Sequence, residues 1–527
     1  MLTVVVSLLS AAMPAQMVAA DYVPPPQACP TDLVVGCYYF PGHFSPMRWM
    51  PFRRAGFPIP VAGFYRDGEP EVSDWHIKWA VEHGISFFAF DWYYHYEQGP
   101  STEHNKALDQ GFLRARYRDK MNFCLMWCNE NRDEHYTDDH ITKLTNTLVE
   151  NYFKQPNYLR VDGDNVLVVS VPEYFLRSFG VEGSAKVFAR MSAMCRQAGV
   201  GGLFPVAKRH DNQLELKQAG FRAITAYNYP EAGMSAEQLK AHRAPYSEMV
   251  RGCEEIWKKV TAERTLPYIV PVAPGWDSRP WYGKDALVRT DPRPELFREM
   301  CTAAKRYADP KLRMIIAECW NEFGEGSYIE PTVKYGFGYL DAMRDAFCAA
   351  DPHHDDIVPL SIGRSAPVFS TIPEPAETLM NAGLNMLYNG DMEGEWGWVL
   401  FNSSPASMES PGRQGRQCLR IPAGQGIKTQ WLMPIPSGKK VSVRLSYRIP
   451  AGATLATQAA LFKAEQWLGR YTDIAALSSS ADQWQSFEKD IAIGDPEASR
   501  FDIEFVANGG NCLVDDIDIR VVQDTSR

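Results

Sequence analysis

Apolar residues in the first two thirds of the chain come in short unbroken runs rather than in alternation. The runs are 33–40 (LVVGCYYF), 85–91 (ISFFAFD), 121–127 (MNFCLMW), 165–171 (NVLVVSV), 202–207 (GLFPVA), 222–228 (RAITAYN), 267–273 (PYIVPVA) and 313–320 (RMIIAECW). Such runs mark parallel strands covered on both faces. Between them lie segments with helical spacing, such as 183–198, 246–260 and 294–307, and Asp138 is placed to cap another helix. Eight strand–helix alternations predict an α/β fold, a (β/α)8 TIM barrel. A doubly wound open sheet is the alternative, but no glycine-rich phosphate turn follows any strand.

Past "DPHHDDIVP" the pattern changes. Residues 359–384 carry Pro, Ser and Ala without a period and read as a linker. From 385 to 527 short alternating strands follow, among them "KKVSVRLSYRIP", "SRFDIEFVA" and "CLVDDIDIRVV". Alternation of this kind predicts an all-β sandwich. The barrel is thus expected over 21–358. Residues 1–20 read as a signal peptide, with an apolar run from Leu2 to Met13 and small residues Val18 and Ala20 at the cleavage positions. A secreted or periplasmic protein is expected. No later run nears the ~20 apolar residues of a membrane span, so no membrane span is predicted.

Composition narrows the function. A formal net charge of -10 argues against nucleic acid as a partner, because phosphate binding needs a basic face. Aromatics make up 12% of the chain, with 14 Trp and 24 Tyr, enough for stacking surfaces. Of the 11 cysteines, Cys37, Cys124 and Cys319 lie inside apolar runs and read as small buried hydrophobes. Cys124 and Cys128 have no second pair at zinc-site spacing.

In a barrel of this type the chemistry sits where the strands end. The first two strands run out in Tyr39 and His43, then Asp91 and Trp92. The third ends in Trp127, Asn129 and Glu130, the sixth in Tyr227, and the seventh in Trp276 and Asp277. The eighth ends in Asn321, Glu322 and Glu325. Sugars offer flat C–H faces that stack on Trp and Tyr, and hydroxyls that pair with carboxylates and amides. Cleaving a glycosidic bond takes two carboxyl groups, one to protonate the leaving oxygen and one to assist at the ring. Glu322 and Glu325, three apart and flanked by Gly324 and Gly326, are the candidate catalytic pair. The other residues are candidate substrate contacts.

"WNEFGEGSYIEP" resembles the N-E-W-x-E-G-x-x-(I/L)-E-P motif of glycoside hydrolase family 99 and its bacterial WbsX-like relatives. "GCYYFPG", "MWCNEN", "VDGDNVLVV" and "VAPGWD" are similar to further motifs of that group, in the same order. Phe323 departs from the pattern's Trp, and Thr332 from a common Asp. The resemblance implies an exported glycoside hydrolase acting on an α-mannoside-like or other bacterial or plant glycan, without a catalytic cofactor. It implies retention through a 1,2-anhydro sugar. Glu322 would draw the proton from the 2-hydroxyl, and Glu325 would act as acid and then base. It places Glu130 in substrate binding and Glu330 in holding the loop. The WbsX-like label points instead to a glycosyltransferase of polysaccharide biosynthesis, and a non-catalytic carbohydrate binder is the third reading. Asp162-Gly163-Asp164 matches a transferase D-x-D clamp but also makes good hairpin chemistry. "LYNGDMEGEWGW" and "LVDDIDI" resemble the opening and closing strands of jelly-roll carbohydrate-binding modules. That likeness implies a structural calcium near Glu393 and Asp516.

Overall fold

The computed structural model describes residues 22–95, 98–130, 135–349, 355–369, 374–392, 397–401, 406–413, 415–430, 432–463, 466–479 and 481–522. The signal-peptide reading falls outside these residues. Among them no helix is long and apolar enough to cross a membrane.

Each of the eight apolar runs forms a strand. They are β1 (Val34–Tyr39), β2 (Phe87–Trp92), β3 (Asn122–Trp127), β4 (Asp164–Val169), β5 (Leu203–Ala207), β6 (Ala223–Ile224), β7 (Val270–Val272) and β8 (Met314–Ala317). Neighbours pair in parallel from β1 to β6, and β8 pairs with both β7 and β1. The sheet closes where Ile224 donates to Pro267 O (3.0 Å) and accepts from Ile269 N (2.9 Å). A closed parallel barrel excludes the doubly wound alternative.

Side chains alternate between barrel interior and helix layer. Gly36 makes room for Phe87 inside the barrel, where an added Cβ would lie 2.0 Å from the ring. The outward faces pack on helices such as Pro70–Glu82, Pro172–Gln197, Tyr246–Glu263 and Pro294–Ala304. The helix Asp138–Leu148 is capped by Thr137, whose hydroxyl accepts from His140 N, rather than by Asp138. Between β1 and its crossover helix the chain makes an extra excursion that carries the helix Pro46–Ala55.

The stretch read as a linker lies along the barrel over part of its length. Phe369 N donates to Phe64 O (3.0 Å), and Arg364 pairs with Glu71 (2.9 Å). Beyond it stands a sandwich of two antiparallel sheets. One orders its strands 398–400, 426–429, 500–508, 454–463 and 466–478, and the other 407–409, 418–421, 512–521, 441–448 and 485–491. This is the jelly-roll-like region, with Phe501, Ile503 and Phe505 in its core. Met47 and Met50, from the extra helix, join that core cluster. All eleven cysteines are free thiols, and Cys37, Cys124 and Cys319 are buried.

Candidate active site

The stretch after β8 is a tight hairpin. Asn321 and Glu322 pair with Tyr328 and Ser327, and a single 3-10 turn, Phe323–Glu325, joins the arms. Glu322 therefore sits on an arm and Glu325 at the turn. Both glycines have steric reasons. Gly326 takes φ +62°, and its Cβ would come within 2.7 Å of Asp277 Cβ. Gly324 lies under the Trp281 indole, so a Cβ there would stand 1.9 Å from Nε1.

A buried polar network holds the hairpin from behind. His43 Nε2 meets Asn321 O (3.1 Å), while its ring stacks on Trp49 at 4.1 Å. Burial lowers His43 to about 3, so the ring is neutral and Nε2–H is the donor. Asn321 Oδ1 accepts from Phe40 N (2.9 Å), and its amide nitrogen donates to Tyr65 OH (3.1 Å). Tyr65 OH donates to Glu330 Oε2 (2.8 Å), whose other oxygen meets His76 Nε2 (3.2 Å). Glu330 thus meets the loop through the Tyr65 and His76 side chains.

In front of the hairpin opens a cavity of about 540 Å³ at the C-terminal ends of the strands, bordered by Glu322 and Glu325. Asp91, Glu130, Arg48 and Lys208 add carboxyl and basic groups to its wall, and Tyr93, Tyr227, Trp276 and Trp281 add aromatic surface. Tyr227 OH donates to Asp91 Oδ2 (3.0 Å). Glu130 accepts from Ser170 Oγ (2.7 Å) and faces Lys208 Nζ at 3.7 Å. Beneath the floor Glu318 accepts from Ser327 Oγ (2.6 Å).

Crowded carboxyls in a dry wall hold their protons. Burial, then Glu325 and Asp91, push Glu322 well above the usual carboxylate range, with Arg48 opposing. Burial raises Glu325 to about 7, against the pull of Lys208 and with Glu130 adding to the rise. Asp91 and Glu318 are raised by burial as well. Burial and mutual repulsion therefore favour the protonated forms across this cluster.

The sequence profile of the family described as "Glycosyltransferase WbsX" matches residues 52–343. The chain belongs to the WbsX family. An uncharacterized protein, WxcX, of Xanthomonas campestris pv. campestris is 24% identical over 315 residues, covering 55% of this chain and 43% of WxcX. This WbsX-family chain thus matches less than half the length of that relative. Its fold is similar to the GH99 endo-alpha-mannosidase from Bacteroides thetaiotaomicron, at 16% identity and TM-score 0.43, over 60% of this chain and 96% of that one. The sandwich region is similar to the CBM22-1 xylan-binding domain from Paenibacillus barcinonensis Xyn10C, at 16% identity and TM-score 0.21, over 26% and 93% of the chains.

Of the residues singled out in this WbsX-family sequence, Asp91, Glu130, Tyr227, Trp276, Glu322 and Glu325 border the cavity. The others do not, and strand parity explains three of them. Tyr39, Trp92 and Trp127 point outward. Tyr39 packs on Phe88 and Phe90, Trp92 Nε1 donates to Tyr152 OH, and Trp127 lies against Tyr136 and Phe175. Their neighbours Phe40, Tyr93, Met126 and Cys128 line the cavity in their place. His43 and Asn321 serve the network behind the hairpin. Asn129 clamps Val171, accepting from its N–H (2.7 Å) and donating to its carbonyl (2.9 Å). Asp277 holds Arg279, and its N–H donates to Glu325 O (2.6 Å). Arg48, Lys208, Trp281 and Glu318 were not singled out. Lys208 stands directly at the end of strand five and was passed over, Trp281 lies a little beyond strand seven, and nothing in the pattern marks Arg48. In the sandwich, Asp516 Oδ2 faces Arg413 and Ser446, each at 3.3 Å. A guanidinium there disfavours calcium at that oxygen. Glu393 lies outside the described residues.

Proposed function

We propose that this protein is a glycoside hydrolase whose acid–base pair is Glu322 and Glu325. One observation carries the reading: both acids project from a single hairpin into an aromatic-walled cavity, and Glu325 is held near 7. A carboxyl with that proton affinity can protonate a leaving glycosidic oxygen and then take a proton from water at neutral pH. Arg48, the cation that borders the cavity beside Glu322, offsets part of the rise in its proton affinity and favours its ionised form for its part at the sugar ring, the 2-hydroxyl in a retaining mechanism. Asp91, held by Tyr227, and Glu130 provide acceptors for sugar hydroxyls, and Trp276 and Trp281 provide stacking faces. The substrate class is an α-mannoside-like or other bacterial or plant glycan.

The transferase reading draws on Asp162-Gly163-Asp164, and its position weighs against it. Asp162 and Gly163 form the turn before β4, and Asp164 is tied to Gly202 N (2.8 Å) and Arg222. That is the N-terminal end of β4, opposite the end where the cavity opens. The test is release of reducing sugar from mannans, rhamnose-containing pectins and bacterial surface glycans. Glu322→Gln should lower turnover by about 10² to 10⁴. Full activity in that variant, or turnover only with sugar nucleotides, would refute the proposal.

A further inference from the structure

The strand Arg500–Asn508 sends Phe501, Ile503 and Phe505 into the sandwich core, so Asp502 and Glu504 stand on the opposite face. An outer face normally meets water, yet Asp502 is only 2% exposed. Over it lies a second cavity of about 540 Å³, whose far side is the helix Pro46–Ala55 with Trp281. Arg48 and Trp281 border this cleft and the catalytic cavity alike. The two hollows therefore adjoin through one cation and one indole.

Two observations give the cleft a ligand chemistry. Asp502 borders it, and its buried Oδ1 makes no hydrogen bond among the described residues. Burial and Glu504 raise this carboxyl to about 7, against Lys428 in the same cleft wall and a backbone hydrogen bond at Ala460, and a buried carboxyl oxygen left without a partner is costly. The second is a run of aromatic rings leading outward. Phe462 lines the cleft and stands opposite Trp467 on the edge strand. Tyr471 stands opposite Ala460, which is itself opposite Asp502. Directly opposed residues share a face, and Asp502 and Glu504 both raise the proton affinity of Tyr471 after burial. Trp467 and Tyr471 are 52% and 45% exposed, with rings 5.9 Å apart. The two rings adjoin one another on the face whose Phe462 and Asp502 line the cleft.

We infer that the cleft between barrel and sandwich is a set of glycan subsites, in which sugars beyond the cleaved bond stack on Trp281, Phe462 and the Trp467–Tyr471 pair while a hydroxyl donates to Asp502 Oδ1. This rests on the glycosidase reading and deepens it. The substrate is a polysaccharide or long oligosaccharide, gripped several sugars to one side of the bond, and the sandwich is part of the substrate cleft rather than an independent anchor.

The probes are yeast α-mannan, rhamnogalacturonan and soluble bacterial lipopolysaccharide, each cast into native gels. The full-length Glu322→Gln protein should be retarded by at least one of them. Adding Trp467→Ala with Tyr471→Ala, or separately Asp502→Asn, should weaken that retardation at least fivefold. In the otherwise wild-type protein the same changes should lower kcat/KM on the polymer at least fivefold, and less on trisaccharide fragments. Unchanged retardation and unchanged polymer kinetics in both variants would overturn the subsites and leave the glycosidase standing. Retardation that the variants weaken, with no reducing sugar released from any probe, would overturn the glycosidase and keep the cleft as a glycan site. Retardation by none of the probes would overturn the inference.

Discussion

Replacing Glu325 by Gln should stabilise the protein at alkaline pH while it removes the activity. Burial raises this carboxyl from its ordinary value of 4.5 to about 7. A group whose folded proton affinity exceeds its unfolded one leaves the folded state holding more protons, so stability falls as pH rises between the two values. The loss is absent below about 4.5 and complete above about 7. At about 1.36 kcal/mol per tenfold change in proton affinity, it amounts to roughly 3 kcal/mol. Gln keeps the shape and carries no charge, so the variant escapes this loss. Thermal unfolding of wild type and variant at pH 4.5, 6, 7 and 8.5 checks it. The two should melt together at pH 4.5, and the variant should melt several degrees higher at pH 8.5. Turnover at pH 7 should fall by about 10² to 10⁴. A melting difference independent of pH, or a variant less stable at pH 8.5, would refute the reasoning that burial crowds this acid.

Two further changes test the surroundings. Gly324→Ala puts a Cβ at 1.9 Å from Trp281 Nε1 without requiring an unusual backbone angle. The indole must swing from the cavity wall, so kcat/KM should drop at least tenfold while circular dichroism stays that of the folded protein. Tyr65→Phe removes the hydroxyl that donates to Glu330 and accepts from Asn321. Urea denaturation should show a loss of about 1–3 kcal/mol, the cost of leaving buried polar partners unmet.

The eight barrel strands were legible because burial on both faces forces each to be apolar throughout, and the sandwich strands because burial on one face forces alternation. The hairpin that carries Glu322 and Glu325 was legible for a different reason: two acids beside two glycines are out of keeping with a buried apolar strand. What misled was the assumption that every polar or aromatic residue at a strand end faces the cavity. Parity decides that, and it selects Asp91 and Tyr93 over Trp92, and Met126 and Cys128 over Trp127. Applying the period of two along each run, starting from Gly36 or Asp91, would have made the correction without a structure. His43 and Asn321 lay beyond such reasoning, because their role depends on contacts with each other and with Phe40 and Tyr65, which join the start of the barrel to its end only when it closes. Arg48 was hidden for a similar reason. It rides on a helix inserted between β1 and its crossover, which the alternation of runs does not announce.

That inserted helix, Pro46–Ala55, faces two ways. It lends Arg48 to the cavity in front of the hairpin and Met47 and Met50 to the apolar core of the sandwich. The barrel and the sandwich are therefore not interchangeable cassettes. Grafting a different β-module onto this barrel would strand two methionines in water and loosen the helix that places Arg48 at the cavity wall. Any exchange that preserves catalysis has to move residues 46–55 together with the sandwich they are seated in.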